Sequence, residues 1–260
     1  MYHSVSPDRD EHLDTYYKTT TSPERFAEHM HFLHENQYSA VGLDGVIDRL
    51  RSHSTDTTKA VAITFDDGFD DFYTEAFPVL EQYGFSATMF LPTSYIGNSA
   101  RRFKGKYCLT WNQVCALNDA GVVFGSHTVT HPQLHLANPS DQRRELQDSK
   151  DSIEQALGAP MHSFSYPYAF PEHDYTFTQQ LREALSEAGY TNGVSTIVGR
   201  ATSEDDNFFL KRLPINDADD RALFRAKLEG GYDWLHGVQY ATKLIRSQIR
   251  KWHQSRPTTT

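Results

Sequence analysis

Cysteine is almost missing from this chain, whose 260 residues include only Cys108 and Cys115. Two cysteines cannot supply a disulfide framework or a zinc site built from thiolates. We therefore expect two free, partly buried thiols, and cysteine usage leaves the redox compartment open.

Long apolar runs and an excess of positive charge are also missing. No stretch approaches the roughly 18 consecutive apolar residues that a membrane-spanning helix requires. The 25 lysines and arginines are outnumbered by 34 acidic residues, which gives a formal net charge of -9. This balance argues against a nucleic-acid partner.

The start of the chain shows no signal peptide, because Met1 is followed directly by Tyr2 and His3 rather than by basic and then apolar residues. As written, the chain is expected in the cytoplasm. A leader ahead of Met1 would instead direct it out of the cytoplasm, so the localisation stays open. Nothing in the sequence indicates an oligomeric state.

Apolar, strand-like runs alternate with helical patterns along most of the chain. The expected strands are 1–5, 60–65, 86–91, 122–125, 162–165, 190–195 and 208–212, and the expected helices are 22–36, 43–51, 72–83, 110–119, 139–157 and 176–188. Such alternation is typical of parallel β/α units. It predicts one α/β domain in which six to eight such units form a closed or nearly closed barrel over residues 1–218, with a helical extension, 219–260, packed on the barrel. An open doubly wound sheet is the alternative, but no glycine-rich phosphate loop supports it.

The stretch around which this pattern is organised is the strand 60–65 with the Asp66-Asp67-Gly68 that follows it. Folds of this class place their chemistry at the carboxyl ends of such buried strands. Two adjacent carboxylates repel each other unless a positive group separates their roles. A metal ion bound by one aspartate would leave the other free as a base. A plain Asp-Gly turn is the structural alternative.

Polar residues also follow other expected strands, and in a parallel barrel these strand ends share one face. They are His3, His127, His131, Tyr166, Pro167, Tyr168 and Arg212. A helical turn after Ser126 would place the imidazoles of His127 and His131 on one side, although a chance pair is the alternative in a chain with 13 histidines. Two histidines with one carboxylate form a site for a divalent metal, for which zinc is the first expectation and cobalt, nickel, iron and manganese are alternatives.

Three motifs in this sequence resemble those of a known family. They are TFDDG at 64–68, SHTVTH at 126–131 and FSYPY at 164–168. In this order they resemble the first three motifs of the polysaccharide deacetylases, carbohydrate esterase family 4, over about residues 1–215. The resemblance implies a distorted (β/α) barrel with about seven parallel strands and a metal-dependent hydrolysis of acetyl groups on sugars. It also implies that Asp66 is the general base and that Asp67, His127 and His131 hold the metal.

Two departures from the family pattern affect the catalytic assignments. The third motif usually carries an arginine that orients the base, and here Ser165 or its neighbours stand in that place. We expect Arg212 to supply this charge from a later strand end, with a structural surface arginine as the alternative. The usual late Leu-x-His of the general acid is also missing after Pro214. Tyr2-His3 resembles the rearranged order of exopolysaccharide-modifying members, so His3 is assigned as the acid, with a structural histidine as the alternative.

The remaining assignments concern contacts with substrate and with surfaces. Substrate binding is assigned to Tyr166, Pro167, Tyr168 and Trp111, although a tryptophan such as Trp111 is more often a core residue. The basic residues between 101 and 106 are expected in a solvated loop rather than in a cleft for an anionic polymer. Residues 240–252 are expected to form a terminal barrel helix, with peripheral membrane contact as the alternative.

The sequence therefore predicts a metal-dependent hydrolase that removes acetyl groups from the N-acetylated sugars of a polysaccharide or oligosaccharide. One alternative is a metal-dependent amidohydrolase that acts on a non-sugar amide, which the missing third-motif arginine would permit. Another is a carbohydrate-binding protein without turnover. The presence of both the candidate base and the candidate ligands argues against this last alternative.

Overall fold

A six-stranded parallel sheet lies at the centre of the structure, a computed structural model that describes residues 1–7, 19–52 and 59–242. The strands of the described residues are β1 (Ser4–Val5), β2 (Thr20–Thr21), β3 (Ser39–Ala40), β4 (Ala60–Val61), β5 (Ile63–Phe65), β6 (Ala87–Leu91), β7 (Arg102–Phe103), β8 (Lys106–Tyr107), β9 (Val123–Ser126), β10 (Ser163–Ser165), β11 (Asn192–Val198) and β12 (Leu210–Arg212). The helices are α1 (Pro23–Glu35), α2 (Leu43–Arg51), α3 (Phe77–Gln82), α4 (Trp111–Asp119), α5 (Pro139–Leu157), α6 (Tyr175–Glu187) and α7 (Arg221–Leu228). The central sheet has the order β12-β11-β10-β9-β6-β5.

The first two residues close the curled sheet into a barrel. Tyr2 pairs in parallel with β5, and its backbone N–H donates to the carbonyl of Thr64 at 2.8 Å. On its other side, Met1 accepts a bond from the N–H of Ile215 at 3.0 Å and donates to the carbonyl of Leu213 at 2.9 Å. The two edges of the sheet are therefore bridged by one short segment, and the expected distorted barrel with about seven strands is confirmed.

Helix ends follow the capping residues of the sequence. The hydroxyl of Ser22 accepts from the first turn of α1, and Thr110 forms a capping box with Gln113 at the start of α4. Asn138 caps α5, which ends at Gly158 in the left-handed conformation. These local signals explain why the helix boundaries lie within a few residues of those expected.

The core fills both the space between sheet and helices and the interior of the barrel. Inside the sheet, Phe90, Val194 and Leu210 pack against Leu43 and Ile47 of α2. The larger cluster lies between the sheet and the surrounding helices. A packed interior of this kind fixes the strands, so the loops after their carboxyl ends are held by a rigid frame.

Two segments differ from expectation. The expected helix 72–83 begins with a π-helical turn at Phe72–Ala76 before α3, because Pro78 has no N–H to continue the regular bonding. The segment between the expected strand 86–91 and the expected helix 110–119, which carries the basic residues expected in a solvated loop, contains an antiparallel hairpin, β7 and β8. Lys104 and Gly105 at its tip have φ angles of 49° and 83°, as a tight two-residue hairpin turn requires.

After the barrel, α7 packs on α1, with the ring of Phe224 stacked on that of His29 at a centroid distance of 4.1 Å. Residues 235–242 are helical. The rest of the expected extension, including most of 240–252, lies outside the described residues. Among the described helices, none has the length and apolar character needed to span a membrane.

Candidate active site

The residues predicted to carry chemistry meet at the carboxyl ends of the central strands. Asp66 and Asp67 follow β5, His127 follows β9, and Ser165 and Arg212 end β10 and β12. Each of these side chains is almost fully buried. A cluster of buried polar groups at one edge of a parallel barrel is the usual arrangement of an active site in this class of fold.

Asp66 is held by an arginine in a bidentate ion pair. The two terminal nitrogens of Arg212 donate to Oδ1 and Oδ2 of Asp66 at 2.8 and 2.7 Å, and the two residues are only 6% and 2% exposed. Burial has the largest single effect and would raise the pKa of Asp66, but the charge of Arg212 and its hydrogen bonds, with smaller contributions from neighbouring groups, together outweigh burial and keep this pKa well below its usual range. The expectation that Arg212 supplies the missing arginine charge thus agrees with the geometry.

Arg212 is itself fixed by several acceptors. Its Nε donates to the carbonyl of Ser195 at 2.9 Å, and a terminal nitrogen donates to the hydroxyl of Ser165 at 3.0 Å. That hydroxyl donates to Asp66 at 3.2 Å. Ser165, one of the third-motif residues that stand where the resemblance implies an arginine, therefore links Asp66 to Arg212.

Asp67 faces two imidazoles instead. Its Oδ1 lies 3.3 Å from Nε2 of His131 and 3.7 Å from Nε2 of His127, and one candidate ligand atom from each residue lies within 4.8 Å of the others. Asp67 Oδ1 is buried without a hydrogen-bond partner among the described residues. An orphaned carboxylate oxygen facing two imidazole nitrogens fits a divalent cation, since these are its ligand types.

The orientation of His127 is set by the strand beside it. Its Nδ1 lies 2.8 Å from the carbonyl of Ser165, so this nitrogen carries the proton and Nε2 is left with its lone pair directed at Asp67. Burial lowers the pKa of His127 to about 3. The imidazole is therefore neutral at physiological pH, which is the form that binds a metal.

The two histidines are brought together by a loop, which corrects the expected helical turn. Thr128 and His131 have φ angles of 68° and 58°, which a helix does not contain. The hydroxyl of Thr128 donates to the carbonyl of His127 at 2.5 Å and accepts from the backbone N–H of His131 at 3.0 Å. This short-range bonding replaces helical hydrogen bonds and turns both rings to one side.

Glu145 of α5 holds this loop from outside. No sequence pattern indicates this contact. One carboxylate oxygen accepts from the backbone N–H groups of Val129 and Thr130, both at 2.8 Å. The other accepts from the hydroxyl of Thr130 at 2.6 Å. A glutamate on a charged helix resembles any solvated residue, so only the fold reveals this role.

Backbone strain is concentrated at the same place. Among the described non-glycine residues, six have positive φ angles. Five of them lie in or beside the cluster: Asp67, Lys104, Thr128, His131 and Tyr168. Because such conformations are unfavourable for side chains with a Cβ, their concentration indicates a functional site whose geometry the surrounding structure enforces.

The family profile of the polysaccharide deacetylases matches residues 53–193, more than half of the chain. The chain belongs to the polysaccharide deacetylase family. It is therefore an enzyme, a hydrolase of the carbohydrate deacetylase class. The three motifs that suggested this resemblance contribute the aspartates, the histidines and Ser165 described above.

Three known proteins show how far the similarity of this deacetylase extends. It is 29% identical to YxkH of Bacillus subtilis, which is assigned to the polysaccharide deacetylases, over 88% of this chain and 75% of YxkH. It is 28% identical to the Escherichia coli poly-β-1,6-N-acetyl-D-glucosamine N-deacetylase over 49% of this chain, but spans only 20% of that enzyme. The solved structure of the Streptococcus pyogenes deacetylase PplD with acetate superposes with a TM-score of 0.75 at 24% identity, covering 87% of this chain and 95% of that one.

His3 follows the segment that closes the barrel of the deacetylase and is half-buried. Burial has the largest effect on its imidazole and lowers the pKa of His3, against the opposing charges of Asp67 and Asp66. The two carboxylates are thus near it, as an acid at this site requires. A general acid must carry the proton that it donates, so the role of His3 stays a prediction.

The residues assigned to substrate binding differ in their exposure. Tyr166 is 0% exposed and packs on Phe170, and Pro167 is also buried, so neither side chain offers an open surface to a sugar, and their assignment stays a prediction. Side chains alternate along a strand, and because Ser165 faces Asp66, Tyr166 points the other way into the core. Tyr168 is 48% exposed with its ring 4.6 Å from that of His131, so it flanks the site.

Trp111 is half-buried and packs against the main core cluster at the start of α4. This is the structural alternative that the sequence suggested, and its role in substrate binding stays a prediction. The expected solvated loop is wrong in one respect. Lys104 of the hairpin donates to Oδ2 of Asp67 at 2.9 Å, so one of the basic residues belongs to the site.

Proposed function

We propose that this chain is a metal-dependent deacetylase that hydrolyses the N-acetyl group of N-acetylglucosamine units in an oligosaccharide or polysaccharide. The observation that carries this proposal is the orphaned Oδ1 of Asp67, buried between the Nε2 atoms of His127 and His131. Beside it, Asp66 is kept ionised by a separate arginine. One carboxylate is thus free for a cation and the other for a proton.

The roles follow from this arrangement. Asp67, His127 and His131 would hold a divalent metal, zinc first, which when bound supplies the Lewis acidity that polarises an amide carbonyl. Asp66, whose orientation is fixed by its arginine, accepts the proton of the attacking water. A carbon–oxygen bond forms, the carbon–nitrogen bond breaks, and the released amine takes up a proton. The products are acetate and the free amino sugar.

The identity of the sugar rests chiefly on similarity. The Escherichia coli relative is named for deacetylating a β-1,6-linked N-acetylglucosamine polymer, and the match covers 20% of that longer protein. The half-exposed ring of Tyr168 beside His131 offers an aromatic surface at the mouth of the site, on which a sugar ring can pack. These observations support an N-acetylated hexosamine as the substrate.

The test is acetate release from N-acetylglucosamine oligomers of different linkage. The protein is stripped with a chelator and reloaded with zinc, cobalt or nickel, and metal content is measured in parallel. Acetate that appears only after reloading supports the proposal and ranks the linkages. One bound metal per chain without acetate from any sugar would contradict the substrate, and full activity in the stripped protein would contradict the metal.

A further inference from the structure

Each of the two adjacent aspartates has a cation of its own. Arg212 pairs with Asp66, and the ammonium of Lys104 pairs with Asp67 through Oδ2. Lys104 is the group that the family motifs do not account for, because it comes from the hairpin formed by β7 and β8. The inference below concerns this residue and rests on the metal site proposed above.

The hairpin is built to hold Lys104 over the site. At its base, the carbonyl of Tyr107 accepts from the N–H of Asp70 at 2.9 Å, which ties it to the loop that follows β5. At its tip, the ring of Phe103 lies 5.1 Å from that of His131. Lys104 itself adopts a positive φ. The base and tip contacts together place the ammonium beside the metal-ligating carboxylate.

The two oxygens of Asp67 have different surroundings. Oδ2 accepts from Lys104 at 2.9 Å, whereas Oδ1 faces the two histidines without a hydrogen-bond partner among the described residues. A cation on Oδ1 and the ammonium on Oδ2 can therefore share one carboxylate. Because two positive groups on one carboxylate repel each other, the ammonium reduces the attraction that Asp67 exerts on a metal.

We propose that Lys104 is a positioning residue that tunes the metal site: it holds Asp67 through Oδ2, directs Oδ1 to the histidines, and weakens metal affinity through its charge. The Lys104 side chain is 43% exposed, so solvent reduces this effect without abolishing it. The charge of Lys104 weakens metal binding, whereas its hydrogen bond strengthens metal binding by orienting Asp67. We expect the effect of the charge on metal affinity to be the larger of the two.

The experiment separates charge from hydrogen bonding with two variants at one position. Lys104→Gln keeps an N–H donor and removes the charge, whereas Lys104→Arg keeps the charge. Lys106→Gln is the matched control, because it removes the same charge from the same hairpin at a residue whose ammonium lies 3.9 Å from Asp71 instead. Zinc dissociation constants are measured by competition with a chromogenic chelator, after thermal melting has shown that each variant is folded.

We expect Lys104→Gln to bind zinc about tenfold more tightly than the wild type, the size expected for one nearby charge. Lys104→Arg and Lys106→Gln should stay within about twofold of the wild type, the latter because a more distant charge is screened. A merely structural hairpin residue would give weaker binding instead. Unchanged or weaker affinity in Lys104→Gln would overturn the inference, whereas failure of every protein to bind zinc would overturn the proposed function itself.

Discussion

Asp66 and Asp67 are neighbours of one type and equal burial, each 2% exposed, yet the structure prepares them for different chemistry. Both carboxyl oxygens of Asp66 are occupied by Arg212. Asp67 has one oxygen on a partly exposed lysine and the other directed at two imidazoles. The difference lies entirely in the partners that other strands and loops supply.

This comparison shows how adjacent buried carboxylates can both stay ionised. A buried carboxylate without compensation would take up a proton, and two of them side by side would also repel each other. Here each carboxylate is paired with a cation. Asp66 is held in a bidentate pair by the planar guanidinium of Arg212, whereas Asp67 is paired with the single ammonium of Lys104. The guanidinium of Arg212 fixes the orientation of Asp66 as a base, and the single contact with Lys104 leaves one oxygen of Asp67 available for a metal.

The largest expected effect comes from removing each carboxylate charge in turn. Asp66→Asn should lower the acetate release rate by about 10³-fold, as expected for loss of a general base, with zinc still bound at one per chain. Asp67→Asn should weaken zinc affinity by about 10²-fold or more, because an amide oxygen is a poorer ligand than a carboxylate. The measurements are acetate release and metal content on the same samples.

The pair serves as its own control, since the substitutions are identical and adjacent. If both variants lose zinc, the separation of roles between the two aspartates is wrong. If Asp66→Asn keeps the wild-type rate, the base must be sought elsewhere, and His3 would be the first residue to examine.

The next largest effect concerns the bidentate ion pair between Arg212 and Asp66. Arg212→Met leaves Asp66 as an uncompensated buried charge, which should cost about 3–5 kcal/mol of unfolding free energy and about 10²-fold in turnover. Arg212→Lys keeps the charge and loses the bidentate geometry, so its stability loss should be clearly smaller. Denaturant unfolding and acetate release measure the two effects. Equal losses in both variants would show that geometry rather than charge is what Asp66 requires.

Much of this arrangement could be predicted from the sequence, because it depends on local patterns. The buried run before Asp66 and Asp67 indicated a strand, and parallel topology placed the strand ends at one edge. Arg212 could be proposed because it also ends a strand. Capping residues marked the helices for the same reason: their bonds join residues three apart.

The rest depends on contacts between distant parts of the chain, which leave no periodic signal. Lys104 reaches Asp67 across 37 residues, and Ser165 reaches Asp66 across 99. The closure of the barrel by Met1 and Tyr2 is of the same kind. The ring of Tyr166 lies in the core for a simpler reason, since the alternation of the strand that ends at Ser165 turns it away from Asp66.

A smaller effect is expected at Glu145, which holds the loop carrying His127 and His131 and so supports the candidate metal site around Asp67. Glu145→Gln replaces one acceptor oxygen by an NH₂ donor. This donor would face either the backbone N–H groups of Val129 and Thr130 or the hydroxyl of Thr130. The substitution should cost about 1–2 kcal/mol of stability and weaken zinc affinity by about tenfold, because the loop that carries His131 is loosened. Chelator competition and denaturant unfolding measure both.

Glu154→Gln is the matched control for this prediction. Glu154 lies on the same helix and also accepts a backbone bond, from Met161 at 2.8 Å, but away from the histidine loop. It should lose stability without losing zinc affinity. Equal zinc affinities in the two variants would remove Glu145 from the support of the site.

The last effect concerns a buried titratable group that has no ionic partner in hydrogen-bonding contact. His29 is 1% exposed; its Nε2 lies 2.6 Å from the carbonyl of Asp219, and its Nδ1 lies 3.1 Å from the hydroxyl of Tyr2. Both contacts suit a neutral ring that donates from Nε2 and accepts at Nδ1. Burial lowers the pKa of His29 to about 4. Unlike Asp66, it is therefore kept uncharged rather than compensated.

The sign of the pH effect follows from this lowered pKa. Below its usual value of 6.5, the unfolded chain binds a proton that the folded protein does not, so stability falls as the pH drops from about 6.5 toward 4. At pH 5 the loss from His29 is about 2 kcal/mol. His29→Gln should remove it, so urea unfolding at pH 7.5 and pH 5 should differ less than in the wild type. An acid sensitivity of His29→Gln equal to that of the wild type would show that burial without an ionic partner does not hold this imidazole neutral.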